Sequence, residues 1–172
     1  MTVPLIEGRH PLIVKNMTWL DEASTESFAQ TLAARPAIGR ALIELQGDLG
    51  AGKTTFVRHL LRSLGVPGRI KSPTYAVVEA YTLDAPALDA VHNQGLAIWH
   101  FDFYRFNDPN EWEEAGFRET FASPGLKLVE WPEKVGDHLP LPDLVIHIDM
   151  LPDASRTITL TAYTPTGAEL LT

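Results

Sequence analysis

The chain has 172 residues, 45% of them hydrophobic, no cysteine, and 22 acidic against 14 basic residues for a net charge of −8. That length fits one domain over residues 1–172, and the hydrophobic share is enough to bury a core, which excludes a disordered chain. The acidic balance opposes direct binding of nucleic acid or anionic membranes, and the lack of cysteine excludes disulfides and thiolate metal sites.

No stretch approaches the roughly 18 uncharged apolar residues of a membrane span. The opening MTVPLIEGRHPLIV carries prolines, an acid and no basic leader before a clean apolar run, so it does not read as a signal peptide. The expectation is a soluble, cytoplasmic protein that leaves any RNA to a partner.

In chain order, DEASTESFAQTLAA (21–34) predicts a helix with Asp21 as N-cap and Phe28, Ala29, Leu32 and Ala33 on one face, stopped by Pro36. ALIEL (41–45) is a short apolar run that reads as a buried strand. It leads into GDLGAGKTTF, after which Phe56, Val57, Leu60, Leu61 and Leu64 recur at helical spacing until Gly65 and Pro67. AVVEAY (76–81) and AIWHFDF (97–103) read as strands joined by a long link, 82–96, taken as an exposed excursion. Asp108, Pro109 and Glu111 have the cap, first-turn proline and third-position acid of a helix start, with a break at Gly116. LKLVE (126–130), LVIHI (144–148) and RTITLTA (156–162) supply three more strands. This mixed α/β order predicts a sheet covered by helices on both sides.

Gly47, Gly52, Lys53 and Thr54 fit G-x-x-x-x-G-K-[ST] between a strand and a helix, the context of a loop that wraps phosphates. Main-chain N–H groups at a helix start favour anions. Gly50 and Gly52 let the backbone approach them, Lys53 reaches the β- and γ-phosphates, the Thr54 hydroxyl suits Mg²⁺, and Thr55 suits the α-phosphate. A magnesium–nucleotide site also needs an acid at the end of a neighbouring strand, for which Asp102 and Glu130 are two candidates; either also fits an ordinary strand-end acid. KSPTY (71–75) reads either as a γ-phosphate-sensing loop built on Ser72, Pro73 and Thr74 or as a surface turn. Arg58, Arg62 and Arg69 form either a solvated basic face or a docking surface for an acidic partner. His100 is placed either to orient Asp102 or simply to pack at the strand end.

Together GDLGAGKTTF, SPTY, HFDFYR and VEWPE resemble the bacterial TsaE (YjeE) family of ATPases, which takes part in making threonylcarbamoyladenosine in tRNA. The resemblance implies a P-loop NTPase-like sheet of mixed parallel and antiparallel strands flanked by helices. It implies ATP bound at Gly50, Ala51, Gly52, Lys53, Thr54 and Thr55, with Glu22 and Arg156 bordering the nucleotide. It further implies Mg²⁺ held by Thr54 and Glu130, Lys53 and Asp102 as catalytic residues, with Asp102 acting on metal or water, and a switch-like Ser72–Pro73–Thr74. The implied partners are the TsaD and TsaB subunits, with no direct contact to tRNA. The 82–96 link is longer than the family pattern leads one to expect. Two other readings stay open: a small-molecule kinase, disfavoured because the arginines are scattered in sequence rather than gathered in a lid, and an ATP-dependent binding switch with incidental hydrolysis. A GTPase is disfavoured by the absence of N-K-x-D and D-x-x-G.

Overall fold

The computed structural model describes residues 9–84 and 95–172. Among them seven strands form one sheet: β1 (Ile13–Trp19), β2 (Leu42–Gln46), β3 (Val78–Leu83), β4 (Leu96–Asp102), β5 (Leu126–Glu130), β6 (Leu144–Met150) and β7 (Arg156–Ala162). Their spatial order is β1-β7-β6-β2-β5-β4-β3. The four central strands, β6, β2, β5 and β4, run parallel, while β7 and β1 on one side and β3 on the other are added antiparallel. β2 and β5 are buried along almost their whole length, as strands covered on both faces must be, so that even their charged residues Glu44, Lys127 and Glu130 are buried.

Alternation along the central strands separates two cores. Ile43, Leu45, Ile98 and Leu128 face α1 (Glu22–Ala33) and α2 (Lys53–Ser63). Leu42, Phe101 and Val129 face the opposite way, against Trp112 of α3 (Glu111–Glu114) and Phe121 of α4 (Phe117–Ala122). The expected mixed sheet with helices on both sides is observed. The same alternation sends His100, Asp102 and Glu130 toward α2, because they share the parity of Ile98 and Leu128.

Local chemistry accounts for the helices. The Asp21 carboxylate accepts from the Ser24 backbone N–H and from its hydroxyl, both at 2.9 Å, and these bonds hold its carboxyl below the usual range. Phe28 of α1 packs with Trp19 and Phe56 of α2 at ring separations of 5.6 to 5.9 Å, which fixes the two helices together over the sheet. The 108–111 signal is a reciprocal cap: Asp108 accepts from the Asn110 N–H while Glu111 reaches back to the Asp108 N–H. The helix itself runs only from Glu111 to Glu114, and Gly116, in left-handed conformation, separates it from α4.

The structure departs from the sequence reading in four places. β1 was not anticipated. Its inward row is Ile13, Lys15, Met17 and Trp19, and Lys15 breaks the apolar pattern while its ammonium donates to the Leu171 carbonyl. A short C-terminal helix, α5 (Pro165–Leu170), capped by Thr164, was also not anticipated. β3 starts two residues later than AVVEAY suggested, because Val77 takes a left-handed turn with φ 69° and its N–H bonds to the Pro73 carbonyl. The expected 82–96 excursion is shorter than drawn: Thr82 and Leu83 pair with Ala97 and Leu96 in the sheet, and residues 85–94 lie outside the described residues.

Glu44 on β2 is 7% exposed and faces the second core, beside a cavity of about 360 Å³ that Glu133 also lines. Burial pushes its carboxyl up to about 7; a hydrogen bond with Gln46 opposes this and the Glu133 charge adds to it. The folded protein then keeps a proton that the unfolded chain releases near the ordinary value of 4.5. Stability contributed by the neutral form is therefore complete at acid pH and is lost as pH rises through about 7. Glu44→Gln is expected to stabilise the fold by about 2–3 kcal/mol near pH 8 and by almost nothing near pH 4.5, read by urea denaturation at both values.

Candidate functional site

β2 delivers the chain into a loop, Gly47 to Gly52, that α2 follows at once. Gly47 has φ +147° and lies so close to the neighbouring strand that a Cβ would sit 2.5 Å from the Ile148 carbonyl oxygen. Gly52, the residue before Lys53, has φ +112°. A side chain at Gly47 would clash with the strand and one at Gly52 would strain a backbone that L-residues rarely adopt, so these two glycines set the loop's curvature around the amino end of α2.

Lys53 is 5% exposed and its ammonium is folded back on the loop, donating to the carbonyls of Gly47 and Asp48, the latter at 3.0 Å. It also lies 4.1 Å from the centre of the Trp131 ring, which in turn packs on Tyr104. Burial lowers the Lys53 pKa, while the charges of Glu130, Glu133, Asp102 and Asp48 oppose that shift. The next residue, Thr54, donates its hydroxyl to Glu130 Oε1 at 2.7 Å.

Glu130 and Asp102 end adjacent parallel strands and are direct register partners, 2% and 5% exposed. The second Glu130 oxygen lies 2.6 Å from His100 Nε2, so His100, weighed as an orienter of Asp102, pairs with Glu130 instead. With Nε2 donating, His100 Nδ1 has no hydrogen-bond partner among the described residues. Asp102 accepts from the Tyr104 N–H at 2.9 Å and from the Thr74 hydroxyl at 3.2 Å. Its pKa is raised, first by burial and then by the Glu130 charge, against the lowering effect of the Tyr104 bond.

Thr74 Oγ1 is 2.8 Å from Ser72 Oγ, so the Ser72–Pro73–Thr74 loop is tied through one hydroxyl to Asp102. Three non-glycine residues have left-handed backbone among the described residues, and all border this region. The Val77 carbonyl accepts from the Asp102 N–H, Trp131 follows Glu130, and the Ala154 carbonyl accepts from Arg156. Such strain persists only where surroundings impose it.

Gly50 to Thr55, Thr74, Asp102, Glu130, Trp131 and Arg156 line a single cavity of about 310 Å³. A smaller one of about 200 Å³ adjoins it, walled by Trp19, Glu22, Thr25, Gly52, Thr55 and Arg156. Arg156 lines both, its Nε donating to the Ala51 carbonyl at 3.1 Å. Glu22 is held at the rim by His59, 2.9 Å away. The structure thus gathers Gly50–Thr55, Asp102, Glu130, Thr74 and Arg156 in one place, with Glu22 at its side; Ser72 and Pro73 lie just outside. Trp19 and Thr25 were missed by the sequence reading, since one ends an unanticipated strand and the other is a small polar residue inside a helix.

No group of three or more histidine or acidic side chains suited to a metal occurs among the described residues. The Thr54 hydroxyl and the Glu130 carboxylate, 2.7 Å apart with Asp102 alongside, are hard oxygen donors. That sparse set fits Mg²⁺, which is usually held by one or two carboxylates together with phosphate and water.

A strand–loop–helix unit on a mixed, largely parallel sheet with helices on both faces defines an α/β protein with a P-loop-like fold. The sequence profile of the family described as "Threonylcarbamoyl adenosine biosynthesis protein TsaE" matches residues 19–158. The chain belongs to the TsaE family. A Haemophilus influenzae protein named tRNA threonylcarbamoyladenosine biosynthesis protein TsaE is 39% identical over 146 residues, 85% of each chain. Its Bacillus subtilis namesake is 36% identical over 151 residues, 87% of each chain. The crystal structure of Bacillus subtilis YdiB superposes with a TM-score of 0.68 at 31% identity, covering 92% of this chain and 93% of that one. The protein is therefore of the family involved in threonylcarbamoyladenosine biosynthesis. No helix among the described residues is long and apolar enough to cross a membrane.

The pairing of Glu130 with both Thr54 and His100 makes a testable demand. Glu130→Ala leaves a buried imidazole without its partner and is expected to cost about 3 kcal/mol of unfolding free energy. Glu130→Gln keeps one acceptor oxygen for Thr54, meets His100 through its NH2 once the imidazole proton moves to Nδ1, and costs about 1 kcal/mol, both measured by urea denaturation.

Proposed function

We propose that this chain is a magnesium-dependent ATPase that serves threonylcarbamoyladenosine modification of tRNA in the cytoplasm, acting on the TsaD–TsaB complex rather than on tRNA. One observation carries the reading. The glycine loop at the start of α2, Lys53, the Thr54–Glu130 pair and Asp102 all border one cavity of about 310 Å³. The family membership supports the pathway.

In this reading the main-chain N–H groups of Gly50 to Thr55 hold the phosphates at the positive end of α2. Lys53 exchanges its carbonyl partners for the β- and γ-phosphates, an exchange favoured because a charged acceptor replaces neutral ones. Thr54 and Glu130 would hold Mg²⁺, which when bound would supply positive charge against the phosphates. His100 keeps Glu130 oriented by occupying its other oxygen. Asp102, whose raised pKa makes it a better proton acceptor, orients the attacking water from its Tyr104 and Thr74 bonds. Trp19, Thr25 and Arg156 line the adjoining cavity, where the nucleoside extends from Thr55.

Titration calorimetry with Mg-ATP and a phosphate-release assay test this. Lys53→Ala is expected to lose binding by about 100-fold or more, whereas Asp102→Ala keeps affinity within about threefold and loses turnover by about 100-fold or more. Normal turnover in Asp102→Ala would remove its assigned role, and no binding heat for the unaltered chain would remove the whole reading. Partner binding that survives in Asp102→Ala while tRNA modification stops in the reconstituted system separates an ATPase from a nucleotide-bound scaffold.

A further inference from the structure

A second, larger cleft opens on the other side of Thr55. Its volume is about 730 Å³, and its walls carry Arg58, Arg62, Arg69 and Lys71, together with Ser72. Arg58 and Arg62 stand one turn apart on α2, and Arg69 and Lys71 come from the segment after the helix. The sequence points to Arg58, Arg62 and Arg69 as a basic face or a docking surface; the fold adds Lys71 and so gathers four of the chain's 14 basic residues in one cleft on a protein of net charge −8.

Among the described residues none of the four forms an ion pair. The one acid on the cleft wall, Glu22, is engaged by His59. Like charges crowded without counter-charge repel one another and raise the local positive potential. Such a patch on an acidic protein attracts anionic groups and selects how they approach.

We propose that this cleft docks an acidic segment of a protein partner. Charge complementarity favours carboxylates on a short segment over RNA. A nucleic acid strand carries charge along its whole length, so beyond the cleft its phosphates would meet the surplus acid of this chain. A peptide concentrates its carboxylates where the arginines are. The occupant also lies against Ser72, whose hydroxyl meets Thr74, which in turn donates to Asp102. Docking therefore bears on the loop that orients Asp102; this consequence rests on the function proposed above, while the docking itself does not.

Fluorescence anisotropy of the full chain tests it with three labelled probes: an acidic peptide of about ten residues alternating Glu and Ser, its Gln counterpart, and an unstructured RNA of similar charge. The acidic peptide is expected to bind about tenfold or more tighter than the Gln peptide and the RNA, and to weaken between ~50 and ~200 mM salt. Arg58→Glu/Arg62→Glu is expected to lose about tenfold or more in peptide affinity while keeping its heat of Mg-ATP binding. Should that variant fold poorly, Arg58→Gln/Arg62→Gln is expected to lose about threefold or more. RNA bound as tightly as the acidic peptide through the same arginines, peptide affinity unchanged in the variants, or no discrimination between the two peptides would each overturn the proposal. Absent Mg-ATP heat in the unaltered chain strikes the ATPase reading and leaves the docking result standing.

Discussion

Two carboxylates side by side at the ends of parallel strands are the constraint to which the surrounding structure answers. Asp102 and Glu130 are register partners and are both almost fully buried. Two such groups in a region of low dielectric repel each other unless bonds or cations offset the charge. The fold divides the task unequally. Glu130 receives the Thr54 hydroxyl and the His100 ring, one on each oxygen. Asp102 receives one main-chain N–H and one long hydroxyl bond, and burial, with the Glu130 charge adding to it, displaces its carboxyl upward against these two bonds. In the function we propose, the better-bonded acid is the fixed ligand and the poorer-bonded acid the base.

The nearest cation among the loop residues is Lys53, and its present partners are weak competitors for it. Main-chain carbonyls and an aromatic face hold the ammonium without neutralising it. Burial disfavours that charged form even as four nearby acids favour it. An incoming anion at the start of α2 therefore meets a lysine held close to the loop, whose release from two carbonyls costs little beside the charge-assisted bonds gained. Trp131 stands in strained backbone between Glu130 and a proline, its ring lying over the lysine while it also packs against the edge of the second core.

Much of this was legible in the residues themselves. The phosphate-loop motif, the short apolar run ALIEL, the strand-like LKLVE and the Asp21 cap each follow from local rules of spacing and bonding, so the central strands and the Lys53–Thr54 loop could be drawn in advance. Glu130 was one of two candidate acids until the family resemblance set it beside Thr54. What was hidden is non-local. β1 exists because β7 offers it an edge, and Lys15 in its inward row defeats a pattern search although its ammonium finds the Leu171 carbonyl. Alternation put His100 and Asp102 on one face, but it cannot say which neighbouring strand carries the acid that the imidazole meets. The basic cleft was legible only in part: Arg58, Arg62 and Arg69 could be named as a basic face or a docking surface, but that they close round one cleft with Lys71 and Ser72 follows only from the turn of the chain after α2.

The 72–77 segment joins these features, and its construction suits a device that moves. At one end Val77 is locked in left-handed backbone and accepts from the Asp102 N–H, an anchor that strain alone would not maintain. At the other end Ser72 is exposed, and the exposed Tyr75 ring lies against the Arg105 guanidinium. Between them the link to Asp102 is a single hydroxyl bond of 3.2 Å, worth about 1–2 kcal/mol with a charged acceptor. One or two salt-bridged contacts in the neighbouring cleft supply energy of the same order. The loop is thus firm enough to hold Asp102 in place when undisturbed, yet weak enough for an occupant of the basic cleft to change that hold, without any movement of the sheet on which Glu130 stands.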